Sequence, residues 1–508
     1  MTPGRSRPAS VIHTARVRVP LGVSTPRQDA PTLLWLRQDL RLADNPALMA
    51  IEGPVIPVYI LDETEGVRPM GGASLWWLDK SLKALAEDLE ARGSRLILRR
   101  GKAAEVLTSL VEETGAGAVH WNRLYDAGSI ARDKAIKAGL TEAGTRCHSC
   151  NAALLNEPWE IQSGSGGPYK VYTPYWRAAR QRIGAFVLHQ APSEIPAPAS
   201  WPRSDRLADW NLHPSKPDWS IGFADWTPGE AGAKAALHDF LGGAVGAYSE
   251  DRNRPDRAGT SRLSPHMHFG EIGPRQIWRA AEDAAHHGAP HAQVEKFLAE
   301  VGWREFHHHL LFHWPDLPTR NFRPEWDRFV WSENEKPFEA WCKGLTGYPI
   351  VDAGMRELWA TGFMHNRVRM IVASFLIKDL LIDWRRGETW FWDCLVDADV
   401  AQNAANWQWV AGSGADASPY FRIFNPITQG EKFDPDGAYV RQWIPELRKL
   451  PNKVIHAPWT AVPHVLAAAG LTLGRDYPKP IVDHAVARDR ALEAYAALRA
   501  APLETELS

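Results

Sequence analysis

The chain has little with which to staple itself and no stretch long enough to cross a membrane. Four cysteines in 508 residues are too few for a disulfide framework and point to a reducing compartment, read here as the cytoplasm. Cys147 and Cys150 form a C-x-x-C, but no second pair follows at zinc spacing. Two thiols beside a strand are therefore the plainer reading, and no metal is expected. No run of about 18 apolar residues occurs. The longest one, 371–382, is broken by Lys378 and Asp379 and reads as a core helix. Residues 1–30 are polar and rich in Arg and Pro, without the apolar stretch of a secretory signal, and read as a disordered tail. Net charge is nearly absent as well, with 58 Lys and Arg against 60 Asp and Glu. A global basic field is thus excluded, and any nucleic acid must meet a local patch. No G-x-G-x-x-G follows the first apolar strand, where RQDLRLADNP stands instead, so a standard dinucleotide fingerprint is missing. The glycines of 163–167 lack the Lys-Ser/Thr ending of a phosphate loop and read as a turn.

Tryptophan is what the chain has in excess. Of 24 indoles, 12 fall between Phe297 and Pro445, a concentration that suggests stacking or redox use beside packing. From Pro31 to about Asn151, short apolar runs (TLLWLR, PVIPVYIL, SRLILRR, GAVHWN, RCHSCN) alternate with stretches of helical period, notably Ala73 to Arg92 and Ala103 to Glu113. That alternation predicts a doubly wound parallel sheet of the Rossmann-like kind, an α/β domain over 31–155. Residues 156–230 are rich in Pro, Trp, Ser and Gly without clear period and read as a connector. From 231 to 500 the pattern is helical, which predicts an all-α second domain.

Three segments carry chemistry. In Thr260-Ser261-Arg262-Leu263-Ser264-Pro265, Ser before Pro marks an N-cap, so a helix is expected to begin at Ser264. Hydroxyls and a guanidinium beside free helix N–H groups would suit a diphosphate, although an ordinary capped helix explains the same residues. In Met364 to Met370, helical spacing puts Asn366, Arg369 and Met370 on one face and turns Arg367 away. Asp397 and Asp399, with Asn403 and Trp407-Gln408-Trp409 following, offer paired carboxylates without a histidine at ligand spacing. Pairing with the nearby arginines is the reading preferred to metal binding.

Taken jointly, the strings LLWLRQDLRLADNPAL, TSRLSPHMHFGEI, EVGWREFHHHL, TGYPIVDAGMRELWATGFMHNRVRM, KDLLIDWRRGE and ADVAQNAANWQWVAGSGADASPYFRIFNPITQGEKFDPDG resemble the photolyase/cryptochrome family over roughly residues 32–480. Within it the chain looks closest to the class I enzymes that repair cyclobutane pyrimidine dimers in DNA. The resemblance implies an N-terminal antenna domain and a helical domain binding FAD, with fully reduced FAD as the working state.

Carried over by position, Tyr248 and Thr260, Ser261, Arg262, Leu263 and Ser264 would hold the phosphates and ribityl chain. Phe297, Asn366, Asp397 and Asp399 would line the rings and adenine, and Arg369 would pair with Asp397. Asn403 would face the flavin N5 edge, and Trp407, Trp384 and Trp331 would relay electrons to the surface. The lesion would be turned out of the duplex into a pocket. Glu300 would hydrogen-bond the pyrimidine there, beside Trp303, Asn366, Met370 and Trp409. Arg252, Arg367, Arg422 and Gln429 would meet the flanking backbone. The implied partner is UV-damaged DNA, and the protein is expected to act as a monomer without a membrane or an obligate protein partner.

His307, His308, His309 and His313 read as surface and packing histidines. Folate-binding relatives carry an adjacent Asn-Glu where this chain has Gly128-Ser129, which counts against folate by those contacts. Deazaflavin, another flavin or no antenna at all stay open. Two alternatives remain. A (6-4) photoproduct enzyme calls for a pair of histidines around the HNRVRM helix, where this chain has His365 but Arg369 and Met370 nearby. A cryptochrome-like photoreceptor often replaces the N5-facing Asn and appends a long tail, whereas here Asn403 is kept and an Ala-rich helix follows Pro480.

Overall fold

The computed structural model describes residues 30–416 and 421–500, so the tail expected over 1–30 lies, Ala30 apart, outside them. Five strands, β1 (Thr32–Leu36), β2 (Val55–Asp62), β3 (Ile97–Gly101), β4 (Ala118–Asn122) and β5 (Arg146–Cys150), pair in parallel in the order β3-β2-β1-β4-β5. They coincide with the five apolar runs. Central β1 is buried at all five positions, as a strand covered on both faces must be. Thr32 pairs with Val55 of β2 on one side and Ala118 of β4 on the other, so the order reverses beside β1.

Helices α1 (Gly72–Glu90), α2 (Ala103–Thr114) and α3 (Ala127–Glu142) cover the sheet. In α1 the apolar residues Trp77, Leu78, Leu82, Leu85 and Leu89 are buried at three- and four-residue spacing, the stripe its sequence predicts. The half-buried Cys147 and Cys150 stand on β5 at the sheet edge.

The rest is helical and includes α4 (Tyr172–Arg182), α5 (Glu230–Gly242), α6 (Ser264–His268), α7 (Pro274–His286), α8 (His291–His313), α9 (Asn366–Ser374), α10 (Trp384–Cys394), α11 (Val400–Ala411) and α12 (His484–Ala500), among further helices such as Pro349–Thr361 and shorter turns. Helix α4 corrects the reading of 156–230 as a connector without period. Only Tyr175 and Ala179 are buried along it, too few for a visible stripe, and aromatic contacts hold it instead. The run 371–382 is likewise not one helix. Alpha-helical turns stop at Ser374 and a π-helical turn follows over Phe375–Asp379. Lys378 and Asp379, fully buried, find partners there. Lys378 Nζ donates to the Ala411 carbonyl at 2.5 Å, and Asp379 meets His484 of α12 at 2.5 Å.

The two halves are locked together. Trp77 of α1 stacks on Phe269 with centroids 6.1 Å apart and donates its indole N–H to Glu271 at 2.9 Å. Glu271, wholly buried, also holds His266 of α6. Arg41, 1% exposed, donates to the carbonyls of Ala43, Asp44, Ala152 and Gly270. A buried guanidinium matched to so many carbonyls fixes the loop after β1 against the helical half.

Candidate functional site

A cavity of about 410 Å³ opens in the helical half between α8, α9 and α11, and a second lobe of about 240 Å³ joins it toward α6. Glu300, Arg304, Arg369, Asp397, Asp399 and Gln402 line both lobes. These are ordinary dimensions for a cofactor or ligand site.

Asp397 stands where the lobes meet. Arg369 donates to it through Nη1 at 3.1 Å and Nη2 at 2.9 Å, and Ser264 Oγ donates at 2.6 Å. Three segments far apart in sequence thus converge on one carboxylate, in the two-pronged geometry that makes such pairs strong. Asp399 lies two residues on, caps α11 by accepting from Gln402 N at 2.9 Å, and faces His268 at 3.5 Å and His308 at 3.8 Å. Burial alone would raise its pKa, but His308, His268 and Arg304 outweigh burial and hold it below the usual carboxylate range. His307, on the cavity wall, is pushed down to about 4 by burial despite its bond to Gln402, and so stays neutral at pH 7.

Most sequence-predicted positions come together. The larger lobe is lined by Arg252, Glu300, Trp303, Asn366, Arg367, Arg369, Met370, Asp397, Asp399, Asn403, Trp407 and Trp409. Tyr248, Ser261, Leu263, Ser264 and Phe297 line the smaller. Thr260, Arg262, Trp384, Trp331, Arg422 and Gln429 line neither. Arg262 departs most from expectation. Its backbone takes φ of 51° and its guanidinium lies over Trp226 at 4.0 Å, away from the cavity. Ser264 does not cap its helix, because Leu263 is the N-cap and the serine hydroxyl goes to Asp397. With only five residues in α6, the expected helix-end cradle is replaced by side-chain donors. Arg367 corrects a third expectation. It is not turned away but joins the cavity wall, bonded to Asn253 at 2.6 Å. Burial and the nearby charges of Arg252 and Arg422 lower its pKa, which marks a cluster of like charge at the cavity mouth.

Glu300 is ion-paired with Arg252. Trp303 stacks face to face on Tyr172 of α4, with centroids 3.7 Å apart and planes 8° from parallel. The segment read as a connector therefore backs one ring of the cavity. Trp407 is buried on the cavity side, with Phe391 at 5.0 Å and Trp341 at 6.2 Å; Trp384 is fully buried and Trp331 is half-buried beside Phe329. Gly387 lets α10 approach Trp407, whose ring would lie 2.2 Å from any added Cβ.

The histidines differ from expectation in part. His307, His308 and His309 are buried rather than superficial, and His309 packs on His313 at 4.6 Å. Arg304, Gln402 and His307 were missed as lining residues, because only the i, i+4 spacing of α8 with partners in α11 could have indicated them. At the sheet, Arg37 pairs with Asp133 and Arg132 with Asp62, both guanidinium groups lying over Trp35. Gly128 is pressed so close to the loop after β2 that a Cβ would lie 2.1 Å from the Gly66 carbonyl.

This donor set suits a dinucleotide. Hydroxyls and Arg369 stand where phosphates can be met, carboxylates face the junction, and Phe297, Val301, Phe391 and Leu395 supply apolar surface for ring faces. Comparison with known proteins agrees. Residues 297–497 match the model described as the FAD binding domain of DNA photolyase, and residues 32–199 match that described as DNA photolyase. The chain is 55% identical over 474 residues to a deoxyribodipyrimidine photo-lyase of Agrobacterium fabrum, covering 92% of this chain and 98% of that one. It is 38% identical to cryptochrome-2 of Arabidopsis thaliana, over 94% of this chain and 80% of the plant protein. A crystal structure of a bacterial class III photolyase from Agrobacterium tumefaciens superposes with a TM-score of 0.91 at 53% identity, over 94% of this chain and all of that one.

Two predictions follow from the charges. Asp397→Ala would leave Arg369 and Ser264 without their acceptor, and should cost about 3 kcal/mol, the low end for a buried pair because Arg369 is part-exposed. Urea unfolding reads this, and an unchanged midpoint would refute the hub role. Glu305, fully buried on α8, is pushed up to about 7 by burial against the pull of Arg304 and the amides of Asn156 and Leu155. The folded chain therefore holds a proton there that the unfolded chain releases near 4.5, so this group's stabilisation is full below that pH and is lost as pH rises toward 7. Glu305→Gln should gain on the wild type through that window by about 1.4 kcal/mol per pH unit. Unfolding curves at pH 5 and 7 that differ by a constant amount would contradict it.

Proposed function

Because the chain belongs to the photolyase/cryptochrome family and carries its FAD-binding domain, we propose that it repairs cyclobutane pyrimidine dimers in DNA by light-driven electron transfer. One observation carries the reading. The cavity that holds the Asp397–Arg369 junction also holds a mouth of indole rings and arginines, so a cofactor and an extruded pyrimidine dimer would share a single space. Bound FAD would supply a donor that light can excite to give up one electron.

The chain's own residues bind, orient and exclude water. Ser261 and the remaining N–H groups of Arg369 would meet the diphosphate, with Ser264 beside them holding Asp397; Asn403 would present its amide to the isoalloxazine edge. Trp303, one face already covered by Tyr172, and Trp409 offer flat surfaces on which two splayed pyrimidines can stack. Glu300 would accept a hydrogen bond from the pyrimidine edge, with Arg252 beside it balancing its charge. Arg252, Arg367 and Arg422 would contact phosphates, which position a lesion without reading sequence. Gln429, half-buried on a neighbouring helix, would join them at the backbone. This local ridge accounts for DNA binding by a chain of net charge −2. Trp407 on the cavity wall, the fully buried Trp384 and the half-buried Trp331 would relay electrons to oxidised flavin.

On class, the likeness to the class III structure supports that group rather than the class I group favoured by the motifs. The likeness to a plant cryptochrome supports a photoreceptor as the second reading. Against it stands Asn403, the amide rather than an acid at the N5-facing position. A (6-4) activity has less support, since His365 is followed by Arg369 and Met370 rather than by a second histidine on that helix.

Repair is tested by reducing the flavin, illuminating dimer-containing oligonucleotides and following the recovery of thymine absorbance. Recovery with cyclobutane dimers and none with (6-4) products is expected. Recovery with neither would favour the photoreceptor, and recovery with (6-4) products alone would reverse the specificity. Trp407→Phe should abolish photoreduction of oxidised flavin while repair by pre-reduced enzyme persists. Photoreduction at the wild-type rate would remove Trp407 from the relay.

A further inference from the structure

A chain of contacts runs from the α/β half into the floor of the cavity. Asn403 spends both amide hydrogens on one residue: Nδ2 donates to the backbone carbonyl of Glu388 at 2.9 Å and to its Oε1 at 2.8 Å. An amide with both donors engaged has only its carbonyl oxygen to offer to whatever fills the cavity. Glu388, its side chain 4% exposed, is gripped in turn from the other half of the molecule. Arg68, in the loop between β2 and α1, meets it through two parallel bonds of 2.6 and 2.9 Å. The approach of that arginine is itself fixed. Its guanidinium lies 3.9 Å over the ring of Trp392, whose indole N–H donates to the Pro69 carbonyl at 2.8 Å. Gly71 packs so tightly on α10 that a Cβ would sit 2.2 Å from the Trp392 carbonyl. The loop cannot lift without breaking all of these contacts.

We propose that Arg68 is a positioning residue for the flavin site, fixing the Glu388 carboxylate so that Asn403 turns its carbonyl oxygen, and not its NH₂ group, toward the isoalloxazine edge. The inference rests on the reading of the cavity as a flavin site. Without Arg68, a buried carboxylate would lack its counter-charge. It would turn toward water or take up a proton, and Nδ2 would lose an anionic acceptor in either case. The Asn403 amide, held then by the Glu388 backbone carbonyl alone, would turn more readily and present a donor. Reduced flavin carries N–H at that edge and needs an acceptor, whereas oxidised flavin carries a lone pair and needs a donor. A carbonyl held in place therefore favours the reduced form. The α/β half contributes to the redox poise of a site built from the helical half.

The test uses the flavin-loaded protein without DNA. Arg68→Ala and Arg68→Lys are compared with wild type for flavin content, midpoint potential and the rate of dark reoxidation in air. Arg68→Ala should keep its flavin, shift to a lower potential and reoxidise about tenfold faster, the effect of losing one charge-assisted hydrogen bond. Arg68→Lys, which keeps the charge but not the two-pronged grip, should lie between. A flavin-loaded Arg68→Ala protein with wild-type potential and rate would overturn the proposal. Should that variant not fold, Arg68→Lys decides: faster reoxidation supports the proposal, and the wild-type rate sinks it. A wild-type protein that takes up no flavin would instead defeat the reading on which the inference rests.

Discussion

One buried carboxylate sets the shape of the helical half. Asp397, its side chain 3% exposed, receives both prongs of Arg369 from α9 and the hydroxyl of Ser264 from α6. Removing any of these partners would leave charge or a polar group stranded out of water. The three segments are therefore held at one fixed separation, and the two lobes of the cavity are the space they leave. Arg369 also donates to the Met364 carbonyl at 2.7 Å, which pins the start of α9 and with it Asn366 and Met370 at the mouth. The site is thus preorganised by ion pairing.

The α/β half buttresses that arrangement. Trp77 reaches from α1 to Glu271, and Glu271 reaches to His266 of α6, so the helix that supplies Ser264 is braced from the sheet side. Arg41 and Arg68 extend the same support at two further points. At the sheet's strand reversal, where such folds commonly take a ligand, Arg37 pairs with Asp133 and Arg132 with Asp62.

Much of this was legible in the sequence. Strands buried on both faces leave continuous apolar runs and α1 leaves a clear stripe, so β1 to β5 and α1 fall where period and composition place them. Cavity residues such as Asn366, Asp397 and Asn403 were legible because they sit in long, unusual strings whose resemblance carries position by position. What escaped depends on contacts that no local pattern encodes. Arg262 follows a left-handed backbone turn onto Trp226, and Ser264 prefers a carboxylate 133 residues away to its own helix end. Helix α4 is held by stacking on Trp303 rather than by an apolar stripe. Arg68 and Glu388 lie 320 positions apart and meet only in the folded chain.

The central claim is that the cofactor and the lesion occupy adjoining parts of one cavity, close enough for an electron to pass. Fluorescence lifetime of the reduced flavin tests it most directly. An oligonucleotide with a single cyclobutane dimer should shorten the lifetime on binding, and the undamaged strand should leave it unchanged. A lifetime indifferent to a bound dimer would contradict the account.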